Sequence, residues 1–315
     1  MQRREFLRDS ASCAAHLALW GMLAPSALRA RFAARPAGPP VRVEPWGRVE
    51  QVAEGVWAII STPLNQDPDN RRTLCNGGIV AGRNGVAIIE GFASDGGAQW
   101  VSTLARELTG RSPTHVILSH YHGDHAGGLA GHVGETTAPA FITTEVTRGR
   151  LTPGGKPATT LQQARLVGDS PEIIDLGGRK LTITPRSGHT SSDLSIAVED
   201  PRVIFFGDLL WNGMFPNYRD AIPSRLSKSV RELVHENAIR IPGHGAVPTA
   251  SETAHYVAVI DLVEMTARHA IESGTPIETA AAEMKIPADL GEWTLFNPAY
   301  YQTALRAWEK ELRPS

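Results

Sequence analysis

Apolar positions in this chain fall mostly into short runs, and the period of the pattern changes along the length. Val49, Val52, Val56, Trp57, Ile59 and Ile60 read together as strand material. Residues 78–82 and 86–90 form two short apolar runs around Arg83-Asn84-Gly85, and Asn-Gly between such runs is a strong hairpin signal. Over residues 99–109 the spacing turns helical, with Trp100, Leu104 and Leu108 on one face. Residues 115–119 return to a continuous apolar run, the mark of a buried strand.

A second set of strand-like runs covers 172–176, 181–184, 194–198 and 203–206, followed by a helical stretch over 224–234. Residues 252–273 and 276–311 read as mostly helical, with breaks at Gly274, Pro276, Pro287 and Pro298. Tyr301, Leu305 and Trp308 lie at helical spacing and read as core. Residues 62–73 are polar with two prolines, hence a loop. The expected fold class is α/β: two β-rich halves with helices outside and a helical C-terminal extension.

The first residues change the picture. Arg3-Arg4 is followed by Phe6 and Leu7, then by a weakly apolar stretch from about Ala11 to Leu28 and the Pro-rich 36–40. A basic start, an apolar middle and small residues make a secretory leader. The Arg-Arg pair resembles the twin-arginine type, although Gln2 stands where a Ser or Thr often precedes it. His16 and Pro25 make the stretch a poor membrane span, so stable insertion of the mature chain is not expected. The expected organisation is a leader and linker at 1–37, a main domain at 38–250 and helices at 251–315. The expected location is periplasmic or secreted.

Composition adds little beyond ordinary globularity. With 42% hydrophobic residues, 31 Lys+Arg against 33 Asp+Glu and no basic run in the body of the chain, a nucleic-acid partner is not expected. Of two cysteines, Cys13 lies in the leader, which leaves Cys75 alone in a processed chain.

The chemistry concentrates in His120-Tyr121-His122-Gly123-Asp124-His125. Imidazole and carboxylate are standard zinc ligands. On a loop after a strand, alternate residues can face one metal and their neighbours a second, with Gly123 permitting a tight turn. Three further candidates each follow a glycine: His189 after Gly188, Asp208 after Gly207 and His244 after Gly243. His115, His132, His235, His255 and His269 match no ligand pattern and read as structural or surface residues.

His-x-His-x-Asp-His at 120–125, Gly-His-Thr at 188–190, Gly-Asp at 207–208 and Gly-His-Gly at 243–245 together resemble the metallo-β-lactamase superfamily over about residues 49–250. The resemblance implies an αββα sandwich with two Zn²⁺ ions at one edge, iron or manganese being alternatives. His120, His122 and His189 would hold the first metal, Asp124, His125 and His244 the second, and Asp208 would bridge them. It implies hydrolysis of a small-molecule ester, thioester, lactone or related bond by a metal-bound hydroxide, with Asp124 orienting the water.

Asp208 narrows the branch. An Asp at this place is typical of glyoxalase II-like thioesterases and lactonases, whereas the β-lactamases proper carry Cys or Ser. The alternatives are a β-lactam hydrolase and an iron-dependent persulfide dioxygenase on the same fold. Residues 290–311 are loosely similar to the tail of SoxH-like, quinoprotein-associated zinc hydrolases. Residues 64–72 and 210–220, the latter with Trp211, Phe215 and Tyr218, are the expected pocket walls.

Overall fold

Two β-sheets stack face to face, and each presents apolar side chains on both sides. The computed structural model describes residues 40–61, 73–134, 138–151, 159–200 and 202–313. The leader expected at 1–37 and the wall expected at 64–72 lie outside these residues.

The first sheet runs in sequence order: β1 (Pro40–Glu44), β2 (Gly47–Ala53), β3 (Val56–Ser61), β4 (Gly77–Ala81), β5 (Val86–Ile89), β6 (His115–Ile117), β7 (Ala140–Thr144) and β8 (Arg165–Val167). Its first five strands pair antiparallel, and β5 to β8 pair parallel. Helix α1 (Asp95–Thr109) crosses between β5 and β6, the long connection that parallel neighbours require. The short helices α2 (Gly123–Ala126) and α3 (Glu145–Arg150) follow β6 and β7.

The second sheet has the order β13-β12-β11-β10-β9, built from β9 (Glu172–Asp175), β10 (Lys180–Arg186), β11 (Asp193–Val198), β12 (Val203–Phe205) and β13 (Ile239–Ile241). Helix α4 (Pro223–Val234) joins β12 to its parallel neighbour β13. Helices α5 (Ala250–Ser273), α6 (Ile277–Glu283) and α7 (Tyr300–Leu312) complete the described chain.

Strand alternation explains the layers. In β3, Val56, Ala58 and Ile60 point between the sheets, where they meet Leu181, Ile183, Ile196 and Phe205. Trp57 and Ile59 point the other way, onto Val101, Leu104 and Ala105 of α1. The outer face of the second sheet, Ala197 and Ile204, packs under Leu226 and Val230 of α4, Val259 and Val263 of α5, and Leu305 and Trp308 of α7. The result is the αββα sandwich. Among the described residues, no helix is long and apolar enough to cross a membrane.

Two local expectations need correction. The stretch 49–60 is not one strand: Gly55, at φ 67°, turns the chain so that β2 and β3 pair back on each other. Gly123 does not make a tight left-handed turn. It opens the single helical turn of α2, with His122 as the extended residue before it.

Candidate metal centre

All seven candidate side chains converge at one edge of the sandwich, beyond the C-terminal ends of β6, β12 and β13. Each is at least nine-tenths buried. His120, His122 and His189 form one group with Asp208, and Asp124, His125 and His244 form a second.

The first group is a triangle of ring nitrogens. Nδ1 of His122 lies 3.1 Å from Nε2 of His120 and 2.9 Å from Nε2 of His189. Nitrogens this close, all turned inward, fit a shared cation better than mutual hydrogen bonds. In the second group, Nε2 of His244 lies 3.2 Å from Oδ2 of Asp124, and Nε2 of His125 lies 3.7 Å from the same oxygen.

Asp208 stands between the groups and gives each one oxygen. Its Oδ2 is 3.2 Å from Nε2 of His189 and 3.9 Å from Nε2 of His120. Its Oδ1 is 3.0 Å from Nε2 of His125 and 3.3 Å from Nε2 of His244. The backbone explains the placement. Gly207, at φ 52°, turns the chain off the end of β12 in a left-handed conformation that L side chains rarely adopt.

The orphaned atoms test the fit to a metal. Both carboxylate oxygens of Asp124, Oδ1 of Asp208, and Nε2 of His125 and His244 are buried without a hydrogen-bond partner. Leaving a buried polar atom unpaired costs about 1–3 kcal/mol, so a cluster of them aimed at one place fits cations that would satisfy them all. A mixed imidazole and carboxylate set with no thiolate suits zinc and accommodates iron or manganese. Burial pushes the thiol of the nearby Cys75 up to about 12, which keeps it protonated.

Electrostatics separates the groups further. Burial drives His189 down to about 3 and His120 well below its ordinary value, so both hold free lone pairs at neutral pH. Burial alone would also lower His244, but the Asp208 and Asp124 carboxylates beside it raise it to about 9. Burial would raise the Asp208 carboxyl, but His244, His125 and His189 around it hold it well below the usual carboxylate range.

The outward nitrogens have supports that the sequence pattern did not reveal. Nδ1 of His120 lies 2.9 Å from Oγ of Ser119. Nδ1 of His125 faces Oε1 of Glu90 at 3.2 Å, and the other Glu90 oxygen accepts from the Ser119 N–H. Glu90 is buried at φ 81°, a strained angle for a residue with a side chain. It closes the apolar run after Gly85 and read simply as the end of a strand.

Among the remaining histidines, His132 is buried and structural, bonded to Ser102 and the Glu90 carbonyl. His115, His235, His255 and His269 belong to neither group. Trp211, Phe215 and Tyr218 are core rather than pocket lining, each at most 1% exposed. The Trp211 ring packs 4.2 Å from that of His244.

Comparison with known proteins gives the family and the fold. The chain is 29% identical over 167 residues to the human (Homo sapiens) acyl-coenzyme A thioesterase MBLAC2, covering 44% of this chain and 59% of that protein. It is 29% identical over 112 residues to the hydroxyacylglutathione hydrolase of Rhodopseudomonas palustris (strain BisA53), covering 36% and 39%. The matches thus span less than two thirds of these relatives. Among solved structures, the sec-alkylsulfatase Pisa1 from Pseudomonas sp. shares the fold at a TM-score of 0.63 and 15% identity, over 83% of this chain and 49% of that one. A metallo-beta-lactamase from Pontibacter korlensis does so at 0.55 and 17%, over 68% and 98%. Residues 71–264 match the family profile of the metallo-beta-lactamase superfamily, and the chain belongs to that superfamily.

Proposed function

We propose that this protein is a two-zinc hydrolase acting on a small acyl thioester or a related ester or lactone. The observation that carries the reading is Asp208, whose two oxygens face two separate histidine groups. His120, His122 and His189 would hold one ion, Asp124, His125 and His244 the other, with Asp208 between them. When bound, ions in such a pair supply Lewis-acid polarisation of the substrate oxygen and lower the pKa of water toward about 7.

The chain's own residues set the rest. Burial would raise the Asp124 carboxyl, but His125 and His244 hold it below its ordinary value, so it is a carboxylate. As a carboxylate it orients the attacking water and takes its proton. Hydrolysis then adds water across the acyl bond: the C–S or C–O bond breaks, the acyl carbon leaves as a carboxylate and the leaving group departs as a thiol or alcohol.

The two curated relatives support the thioester class, since one is named an acyl-coenzyme A thioesterase and the other a hydroxyacylglutathione hydrolase. An Asp rather than a thiol between the groups argues against the β-lactam reading. Assays of an acyl thioester, a lactone and a cephalosporin on one zinc-loaded preparation test this. Turnover of the thioester or lactone, abolished by a chelator, is expected. Turnover of the cephalosporin alone, or oxygen uptake on a persulfide without hydrolysis, overturns it.

Export belongs to the same proposal. Arg3-Arg4 and the apolar stretch after it support twin-arginine transport of the folded chain to the periplasm or beyond. Changing both arginines to lysine should retain the protein in the cytoplasm, and unimpaired export of that variant contradicts this route.

A further inference from the structure

His122 differs from the other histidines of the two groups in turning Nδ1, not Nε2, toward the centre. Its Nε2 therefore points away, and there it meets Oδ2 of Asp220 at 3.0 Å. The two residues are 98 positions apart, so neither helical nor strand spacing brings them together.

The segment that carries Asp220 is tied down at both ends. On its C-terminal side, the Ile222 N–H donates to the Gly188 carbonyl at 2.8 Å, next to His189. On its N-terminal side, Phe215 N–H donates to the Thr294 carbonyl and Thr294 N–H to the Gly213 carbonyl, which pins it to the helical extension. The Phe215 ring also packs 4.8 Å from that of Tyr301 on α7. One short stretch of chain thus braces both His122 and the turn that carries His189.

We propose that Asp220 is a positioning residue for the first metal position: its carboxylate accepts the Nε2–H of His122 and so fixes the ring orientation and the tautomer that leaves the Nδ1 lone pair facing inward. A carboxylate partner also makes the imidazole a stronger donor, and such outer partners are worth roughly 10- to 100-fold in metal affinity. The proposal rests on the two-zinc reading above. The carboxylate is 39% exposed along its side chain, so it is accessible to solvent without being lost in it.

The test is zinc affinity of the full chain, measured by competition with a chromophoric chelator, for wild type, Asp220→Asn, Asp220→Ala and Asp220→Glu. The expected result is two zinc sites in wild type, with one of them weakened roughly 10- to 100-fold in Asp220→Ala and Asp220→Asn and the other unchanged. Asp220→Glu should recover part of the loss, and thermal unfolding in excess chelator should be the same for all four. Equal zinc affinity in wild type and Asp220→Ala overturns the positioning role while leaving the two-zinc reading intact. A chelator-state unfolding midpoint that falls in Asp220→Ala, with no recovery of zinc affinity by Glu, shows a merely structural contact and also overturns it. A wild type that binds no zinc overturns the two-zinc reading itself, and this role with it.

Discussion

Gly243 lays its backbone directly against the carboxylate of Asp208. A Cβ built on Gly243 would overlap Oδ1 of Asp208 and come within 2.7 Å of the Gly207 carbonyl carbon. The glycine before His244 thus matters for a residue 35 positions earlier in the chain, because only a bare backbone leaves room for the Asp208 carboxylate. Gly243→Ala is therefore expected to displace Asp208 and cut turnover on the order of 100-fold, the usual effect of a shift near 1 Å in a reacting centre. Gly149→Ala is the matched control, since nothing lies within 4 Å of a Cβ there. Steady-state kinetics of the two variants checks this, and equal activities would refute the packing argument.

Removing the Asp208 carboxylate itself should be more severe. Asp208→Ala deletes both oxygens that face His189 and His125. Activity is expected to fall by more than the roughly 10- to 100-fold that outer-sphere changes cost, and metal occupancy should fall with it. A variant that keeps full activity and two metals would show that Asp208 bridges nothing.

Metal removal should destabilise the fold as well as silence it. Bound ions would satisfy the orphaned oxygens of Asp124 and Asp208 and the nitrogens of His125 and His244, and their removal would leave these atoms unpaired. Zinc at about 1,000 times its dissociation constant contributes about 4 kcal/mol per ion by mass action, which corresponds to roughly 6 °C in Tm for a chain of this size. Calorimetry with and without chelator measures the difference. Coincident Tm values would mean that the cluster holds no ion.

His132 gives a pH dependence outside the ligand set. Burial lowers it to about 4, below its ordinary 6.5. Between these values the unfolded chain binds the proton and the folded chain does not, so stability rises with pH through this window. The His132 contribution is complete above about 6.5 and is lost as pH falls toward 4. The full shift is worth about 3 kcal/mol. His132→Gln should flatten that part of the stability profile in denaturant titrations at pH 4.5 and 7. An unchanged slope would place the acid sensitivity elsewhere.

How much of this was readable along the chain depends on how local each signal is. The His120–His125 cluster, the glycines before His189, Asp208 and His244, and the hairpin at residues 83–85 are short-range patterns, and each marks a real feature of the fold. Helix α1 was readable too, although its start at Asp95, four residues before the apolar spacing begins, is set by the Ser94 side chain accepting from Gly97 N–H. The turn at Gly55 was present as a lone glycine between two apolar runs, but strand composition on both sides masked it.

Strands β6, β8, β12 and β13 have three residues each, and their parallel partners lie across helical crossovers. For β8 and β13 nothing local distinguishes such a strand from loop. Glu90 was illegible for a different reason. Its role comes from a positive φ that turns the carboxylate toward His125, and from the 3.2 Å contact that results. Asp220 is similar, since only the fold brings it to His122.

The most direct test of the two-metal centre is the metal content of the purified, zinc-dialysed protein by elemental mass spectrometry. About two zinc per chain in wild type, falling in Asp208→Ala, is the predicted result. One metal or none per chain at saturating zinc would contradict a centre in which the two oxygens of Asp208 serve separate ions.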